Sequence, residues 1–141
     1  MIKESMIFSK NIAALFIIFI VIASILSDML DDGAALQKEL DIKSIHVLEK
    51  TDKITYLERT DTEFYRKQSL IIRYQNKDLS NIDRNTMMKD FEYILKNDGW
   101  RYIRTSEVKE NNSIVLHYKS GNFDCTVGFR PDKIIVYFRK D

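Results

Sequence analysis

Near its N-terminus the chain loses all polar alternation. Ile12 to Leu26 (IAALFIIFIVIASIL) is apolar at every position but Ser24. Beyond Gly33 the spacing changes. Leu36 and Leu40 in AALQKEL stand four residues apart and predict a short helical stalk. From Ile42 the period changes to β-branched and aromatic runs separated by polar turns. Residues 44–49 (SIHVLE), 54–59 (ITYLER) and 69–75 (SLIIRYQ) therefore predict three antiparallel strands, with a turn at Thr51-Asp52-Lys53 and a charged connection from Thr60 to Lys67.

Asn76 to Arg84 reads as a polar loop. In Asn85 to Asp98 the period becomes helical: Met87, Phe91, Ile94 and Leu95 form one stripe, with Lys89, Asp90, Glu92 and Lys96 mostly opposite. Asp83 or Asn85 can cap its start. Gly99 suits the left-handed residue that ends a helix, and Trp100 the hydrophobic position that folds back onto Leu95. Arg101 to Ser106 predicts a short strand. The last third alternates throughout: Ile114, Leu116, Tyr118; then Phe123, Cys125, Val127, Phe129; then Ile134, Val136, Phe138, with turns at Ser120-Gly121-Asn122 and Pro131-Asp132. That is a three-strand meander with one apolar face. Gly128, inside a strand, marks a bulge or bend. The expected fold is α+β: an N-terminal transmembrane helix, then a small two-layer domain with an antiparallel sheet of five to seven strands and one helix packed on one face.

The fifteen residues of the apolar run make about 22 Å of helix against a hydrocarbon core of about 30 Å, so a span needs its ends extended. Met6, Ile7 and Phe8 extend it on one side, with Lys10 snorkelling, and Met29 and Leu30 on the other. The alternative is a secretory signal, cleaved to release the domain. No clean A-x-A site follows the run, which favours the uncleaved anchor. Lys3 and Lys10 precede the run, whereas Asp28, Asp31 and Asp32 follow it, so the N-terminus is expected in the cytoplasm and the C-terminal domain outside the inner membrane, periplasmic or extracellular. The resulting layout is a cytoplasmic tail at 1–10, a single-pass signal anchor at 11–30, a stalk at 31–41 and an extracytoplasmic domain at 42–141.

Charge and composition narrow the chemistry. From Ala34 onward 20 Lys and Arg stand against 17 Asp and Glu, a balance of about +3 that lacks the one-sided charge of a nucleic-acid binder. Cys125 is the one cysteine, so the domain holds no internal disulfide. The richness in Ile, Lys and Asn suggests an AT-rich bacterial or phage gene, in which the formal sequon at Asn111 is inert. His46 and His117, both expected on strands, have no Cys, His, Asp or Glu at metal-ligand spacing. There is no G-x-S-x-G elbow, the glycines are too scattered for a phosphate loop, and Glu107 with Glu110 belongs to a solvated turn. No catalytic, cofactor or metal site is expected.

If Cys125 and its neighbours face the helix, then Val115, His117, Lys119, Thr126, Arg130, Ile135, Tyr137 and Arg139 share the other face of the sheet. This mixture of aliphatic, aromatic and arginine side chains is the composition favoured at protein interfaces. His117, Lys119, Thr126, Arg130, Tyr137 and Arg139 are its candidate contacts, the alternative being a merely solvated face, since isolated apolar surface residues are common. In outline, though in no motif, the chain is similar to many bacterial envelope proteins, among them membrane-tethered immunity proteins. The expectation is a membrane-anchored domain that binds a protein partner, in its leading form a toxin that it neutralises. The alternative is an accessory subunit of a secretion, pilus or division assembly.

Overall fold

The computed structural model of the chain describes the backbone of every residue except 1, 67 and 78–81, and the side chains of those residues except 2–9 and 27–32. The elements run α1 (Ile2–Thr51), β1 (Leu57–Tyr65), β2 (Ser69–Asn76), α2 (Arg84–Asn97), β3 (Arg101–Val108), a 3₁₀ turn at Lys109–Asn111, β4 (Ser113–Ser120), β5 (Phe123–Phe129) and β6 (Lys133–Lys140). The chain divides into two compact units, Met1–Ala35 and Leu36–Asp141.

In the first unit the apolar run is helical, and its large side chains from Ile12 to Leu26 are half or more exposed. An unbroken run of apolar residues at 100° per residue presents such side chains on every side. Among the described residues no helix is long and apolar enough to cross a membrane. The described side chains of the run span 10–26, about 26 Å of helix against a hydrocarbon core of about 30 Å. The extensions at Met6 to Phe8 and at Met29 and Leu30 lie outside the described side chains, as do Lys3, Asp28, Asp31 and Asp32.

The second unit is an α+β domain with six antiparallel strands in the order β1-β2-β6-β5-β4-β3. β2 lies near one edge and β3 forms the other, so α2 carries the chain across the sheet. The meander β3-β4-β5-β6 then returns until β6 pairs with β2. The predicted alternation holds strand by strand. Leu116 and Tyr118, Cys125, Val127 and Phe129, and Ile134, Val136 and Phe138 are all buried on one face, joined by Leu70, Ile72 and Tyr74 of β2. Gly128 makes no bulge, because β5 pairs in continuous register on both sides. The irregularities fall instead on the two edge strands, between Arg59 and Asp61 and between Tyr102 and Arg104.

Helix α2 matches its stripe, with Met87, Phe91, Ile94 and Leu95 buried. Asp83 caps it by accepting from the Thr86 N–H at 2.7 Å. At the other end Gly99 has φ +84°, the Gly99 N–H donates to Lys96 O, and the Trp100 N–H reaches back to Leu95 O. This is the Schellman arrangement, in which two orphaned carbonyls are satisfied by amides beyond the helix end. Phe91 lies edge-on to Phe129 at 5.5 Å and to Tyr74 at 6.3 Å, tying the helix to β5 and β2.

Two expectations are corrected. Residues 44–49 are helical, and the core receives two helical segments where one was expected. Leu40, Ser44, Val47, Leu48 and Thr51 form the inward stripe, while Ile42 and Ile45 are 63 % and 49 % exposed. Two stripe positions are hydroxyl residues: Ser44 Oγ donates to Asp41 O, Thr51 Oγ1 donates to Leu48 O, and Thr51 Oγ1 also shares a 2.7 Å hydrogen bond with the Tyr74 hydroxyl. Back-bonding to the helix's own carbonyls lets these residues stay buried without an apolar side chain. The second correction concerns the strand expected at 54–59 and the connection expected from Thr60 to Lys67: Ile54 to Tyr56 lie outside any strand, and β1 begins at Leu57 and takes up most of the expected connection. Its charges hold it in place, since Arg73 of β2 pairs with both Asp61 and Glu63.

The two glycines give opposite expectations for alanine. At Gly99 a Cβ meets nothing within 4 Å, so the whole penalty is the left-handed backbone, and Gly99→Ala should lose about 1–2 kcal/mol. Gly128→Ala, whose Cβ would meet only Ile135 O at 3.9 Å, should leave stability unchanged or slightly raised. Urea unfolding of the full chain followed by tryptophan fluorescence measures both.

Candidate functional site

The helices cover one face of the sheet, so every second residue of β2 to β6 points to the other. Strand pairing brings these residues into rows. One runs Arg104, His117, Thr126, Tyr137, Ile71 across β3, β4, β5, β6 and β2; the next runs Lys119, Asp124, Arg139, Ser69 from β4 to β2. Between them lies a shallow depression of about 410 Å³, lined by Ile103, Arg104, His117, Tyr118, Lys119, Asp124, Thr126, Tyr137 and Arg139. Five of the six predicted residues, His117, Lys119, Thr126, Tyr137 and Arg139, thus share one feature. Arg130 does not join them. It lies past the end of β5 in the Pro131 turn, where its N–H donates to Lys133 O.

Arg104, Ile103 and Asp124 were missed. Arg104 sits on the far side of the β3 irregularity, so plain alternation from Arg101 would assign it to the wrong face. Asp124 and Asp141 gather on Lys119: its ammonium lies 2.8 Å from Asp141 and 4.0 Å from Asp124, and the Asp141 N–H ties the chain back to Asn122 O. Hydrogen bonding to Asp141 raises the Lys119 pKa, while burial and then the neighbouring Asp141 raise that of Asp124. Among the described residues Arg104 and Arg139 make no ion pair. They stand on strands three spacings apart, about 14 Å. On the Lys119 side two acids, Asp124 and Asp141, meet two cations, since Arg139 lies opposite Asp124 and its charge acts to lower the pKa of both acids, whereas Arg104 stands on the other flank without an ion pair among the described residues.

His117 Nε2 lies 3.0 Å from Ser106 Oγ, the spacing of a nucleophile and its base. Charge argues against that use. Burial first, and then the Arg104 cation, lower the His117 pKa, so the imidazolium that a general base must become is destabilised. Cys125 is fully buried and its thiol is pushed up by desolvation, the state of an inert core cysteine. His46 is on helix α1, solvent-exposed and facing Glu49, and not on a strand as expected. Among the described residues no three His, Cys, Asp or Glu side chains are grouped to hold a metal ion.

A second concavity, of about 360 Å³, lies on the helix-bearing face between α2 and β3–β4. Tyr118 lines it. Its hydroxyl is buried with no hydrogen-bond partner among the described residues, and burial, followed by nearby Glu92, pushes its pKa up to about 12.

No protein-family model, curated protein or solved structure matches the chain.

The lowered His117 pKa sets a pH dependence. The folded state resists protonation that the unfolded chain accepts at 6.5, so stability from this group is present above pH 6.5 and is lost as pH falls through the folded value. The imidazole titration followed by NMR should have its midpoint below 6.5, and Arg104→Gln should move it part of the way back. His117→Gln should flatten the stability profile over the same window. A His117 midpoint above 6.5 would contradict the account.

Proposed function

We propose that the chain is a membrane-tethered binding module whose open sheet face captures a protein partner through an acidic patch on that partner. The observation that carries this reading is the juxtaposition of Arg104 and Arg139, without ion pairs among the described residues, across a depression floored by His117, Thr126 and Tyr137. Half-buried aromatic and aliphatic floor with arginine at the rim suits a protein surface. The scale fits too. Six strands and about six residues along each give a face of about 29 by 20 Å, near 600 Å², against the roughly 800 Å² that each partner contributes to a standard interface. A depression this open cannot enclose a small molecule as ligand pockets do.

The tether rests on the exposed apolar run. A helix with large aliphatic side chains on all sides is stable where water is absent, and the positive-inside rule sets Lys10 on the cytoplasmic side and Leu36–Asp141 outside the inner membrane. Binding, with no catalytic group engaged, is then the task of the outer domain. Capture of a toxin that acts in the envelope is the form that needs nothing beyond this face.

The test is crosslinked capture from native membranes, with the chain tagged after Asp141 and partners and N-terminal peptide read by mass spectrometry. One stoichiometric partner, lost at least tenfold on joint Arg104→Glu and Arg139→Glu substitution and retained when the apolar run is exchanged for an unrelated span, is the expected result. Capture that survives both charge reversals would sink the face. Several envelope components, lost when the span is exchanged, would make the chain an assembly subunit, and a mature chain beginning at Asp28 or later would remove the tether.

A further inference from the structure

We infer that Arg104 and His117, with Ser106 beside them, form a receptor for one oxyanion on the open face of the sheet, and that the anion is taken up together with a proton. The inference rests on the reading of that face as the surface that meets an acidic partner. Its occupant is then the carboxylate of a partner's Asp or Glu side chain.

Arg104 and His117 are register partners on β3 and β4, so both side chains rise from the same point of the face. Arg104 stands there only because of the irregularity after Tyr102, which turns it from the helix-bearing face onto the open one. The two basic groups have no acid of their own among the described residues. Asp124 is the one carboxylate lining the depression, and it is engaged by Lys119 and Arg139 one row away. Arg101 stands opposite Lys119, and only the charge of Arg104 bears on the titration of His117. Thr126 and Tyr137, the neighbours of His117 on β5 and β6, bring hydroxyls.

In the free protein burial and then the Arg104 cation hold the ring neutral, with Nε2 3.0 Å from Ser106 Oγ and Nδ1 without a hydrogen-bond partner among the described residues. An oxyanion lying across the guanidinium offsets that charge and adds its own, which favours the imidazolium. The ring then takes one proton from solvent. Nε2–H donates to Ser106 Oγ, and Nδ1–H is free to donate to the anion beside the guanidinium. A carboxylate stays ionised down to about pH 5. Its affinity should therefore rise as pH falls towards the His117 midpoint of the free protein and level off below it.

Sulfate, a dianion throughout the neutral range, is the probe, with chloride at matched ionic strength as its control. In the full chain held in nonionic detergent micelles, sulfate should raise the His117 NMR midpoint in a saturable way by about half a unit, equivalent to about threefold tighter binding by the protonated form. Exposed His46 on α1 should not respond, and Arg104→Gln should abolish the effect. A midpoint that moves equally in the two salts, or a sulfate effect that survives Arg104→Gln, overturns the proposal. The wild-type comparison decides the question even if the variant fails to fold. The partner reading fails separately: a sulfate effect without any captured protein leaves the oxyanion site standing and removes the acidic partner, whereas capture with no sulfate effect overturns the site alone.

Discussion

Everything in the domain depends on β6 inserting between β2 and β5. The chain from Leu57 to Asn76 makes only a hairpin, and a lone hairpin is marginal in water. Arg101 to Phe129 makes a separate three-strand meander. β6 pairs with both, seven residues on each side, and so joins them into one sheet. Its inward residues, Ile134, Val136 and Phe138, then meet both helical segments' apolar stripes, while its outward residues, Ile135, Tyr137 and Arg139, form the middle of the open face. A one-residue slip of β6 would exchange the two sets, placing Arg139 and the Tyr137 hydroxyl in the core. Tyr137 is also fastened from the side, since its hydroxyl shares a 2.7 Å hydrogen bond with Ser69 of β2.

The two faces are thus one constraint with two outcomes. Inward positions take apolar groups and hydroxyls, those of Thr51 and Tyr74 sharing a hydrogen bond and that of Tyr118 having no partner among the described residues. Outward positions are free of that demand, and their charges sort by local pairing. On the β1–β2 side Arg73 is shared by Asp61 and Glu63, which consumes its charge. On the β4–β5 side Lys119 is consumed by Asp124 and Asp141. Arg139 on β6 answers the second of those two acids, and Arg104 on the edge strand β3 is left without an ion pair among the described residues.

How much was legible follows from how far burial dictates residue type. β4, β5 and β6 lie inside the sheet with one wet face, and strict alternation revealed both their strands and five residues of the face. α2 was readable because its cap, its stripe and its Gly99 terminus agree. The helical segment from Leu36 to Thr51 was half hidden. Ser44 and Thr51 occupy stripe positions, and the exposed Ile45 two residues before the buried Val47 imitates a period of two. β1 was placed three residues early and cut short for the opposite reason: beyond Leu57 an edge strand with few buried residues has no alternation to show, only charges that answer Arg73. Arg104 was missed through the irregularity at Tyr102, which shifts the face of every residue beyond it, and Arg130 was misplaced because the alternation was carried one residue past the end of β5.

An open, flat face rimmed by two arginines forms a modest contact, because exposed ion pairs contribute little and are screened by salt. Such a face binds usefully when its partner is already close. Each large side chain of the Ile12 to Leu26 run gains on the order of 1 kcal/mol on moving its exposed half out of water, and eleven of them together outweigh anything the face can supply. In the tethered reading that term fixes where the domain resides, and confinement raises the effective concentration of a membrane-bound partner by orders of magnitude. The strong interaction then determines place and the weak one identity. On the proposed reading, this division lets a surface with neither deep pocket nor dense charge suffice for recognition.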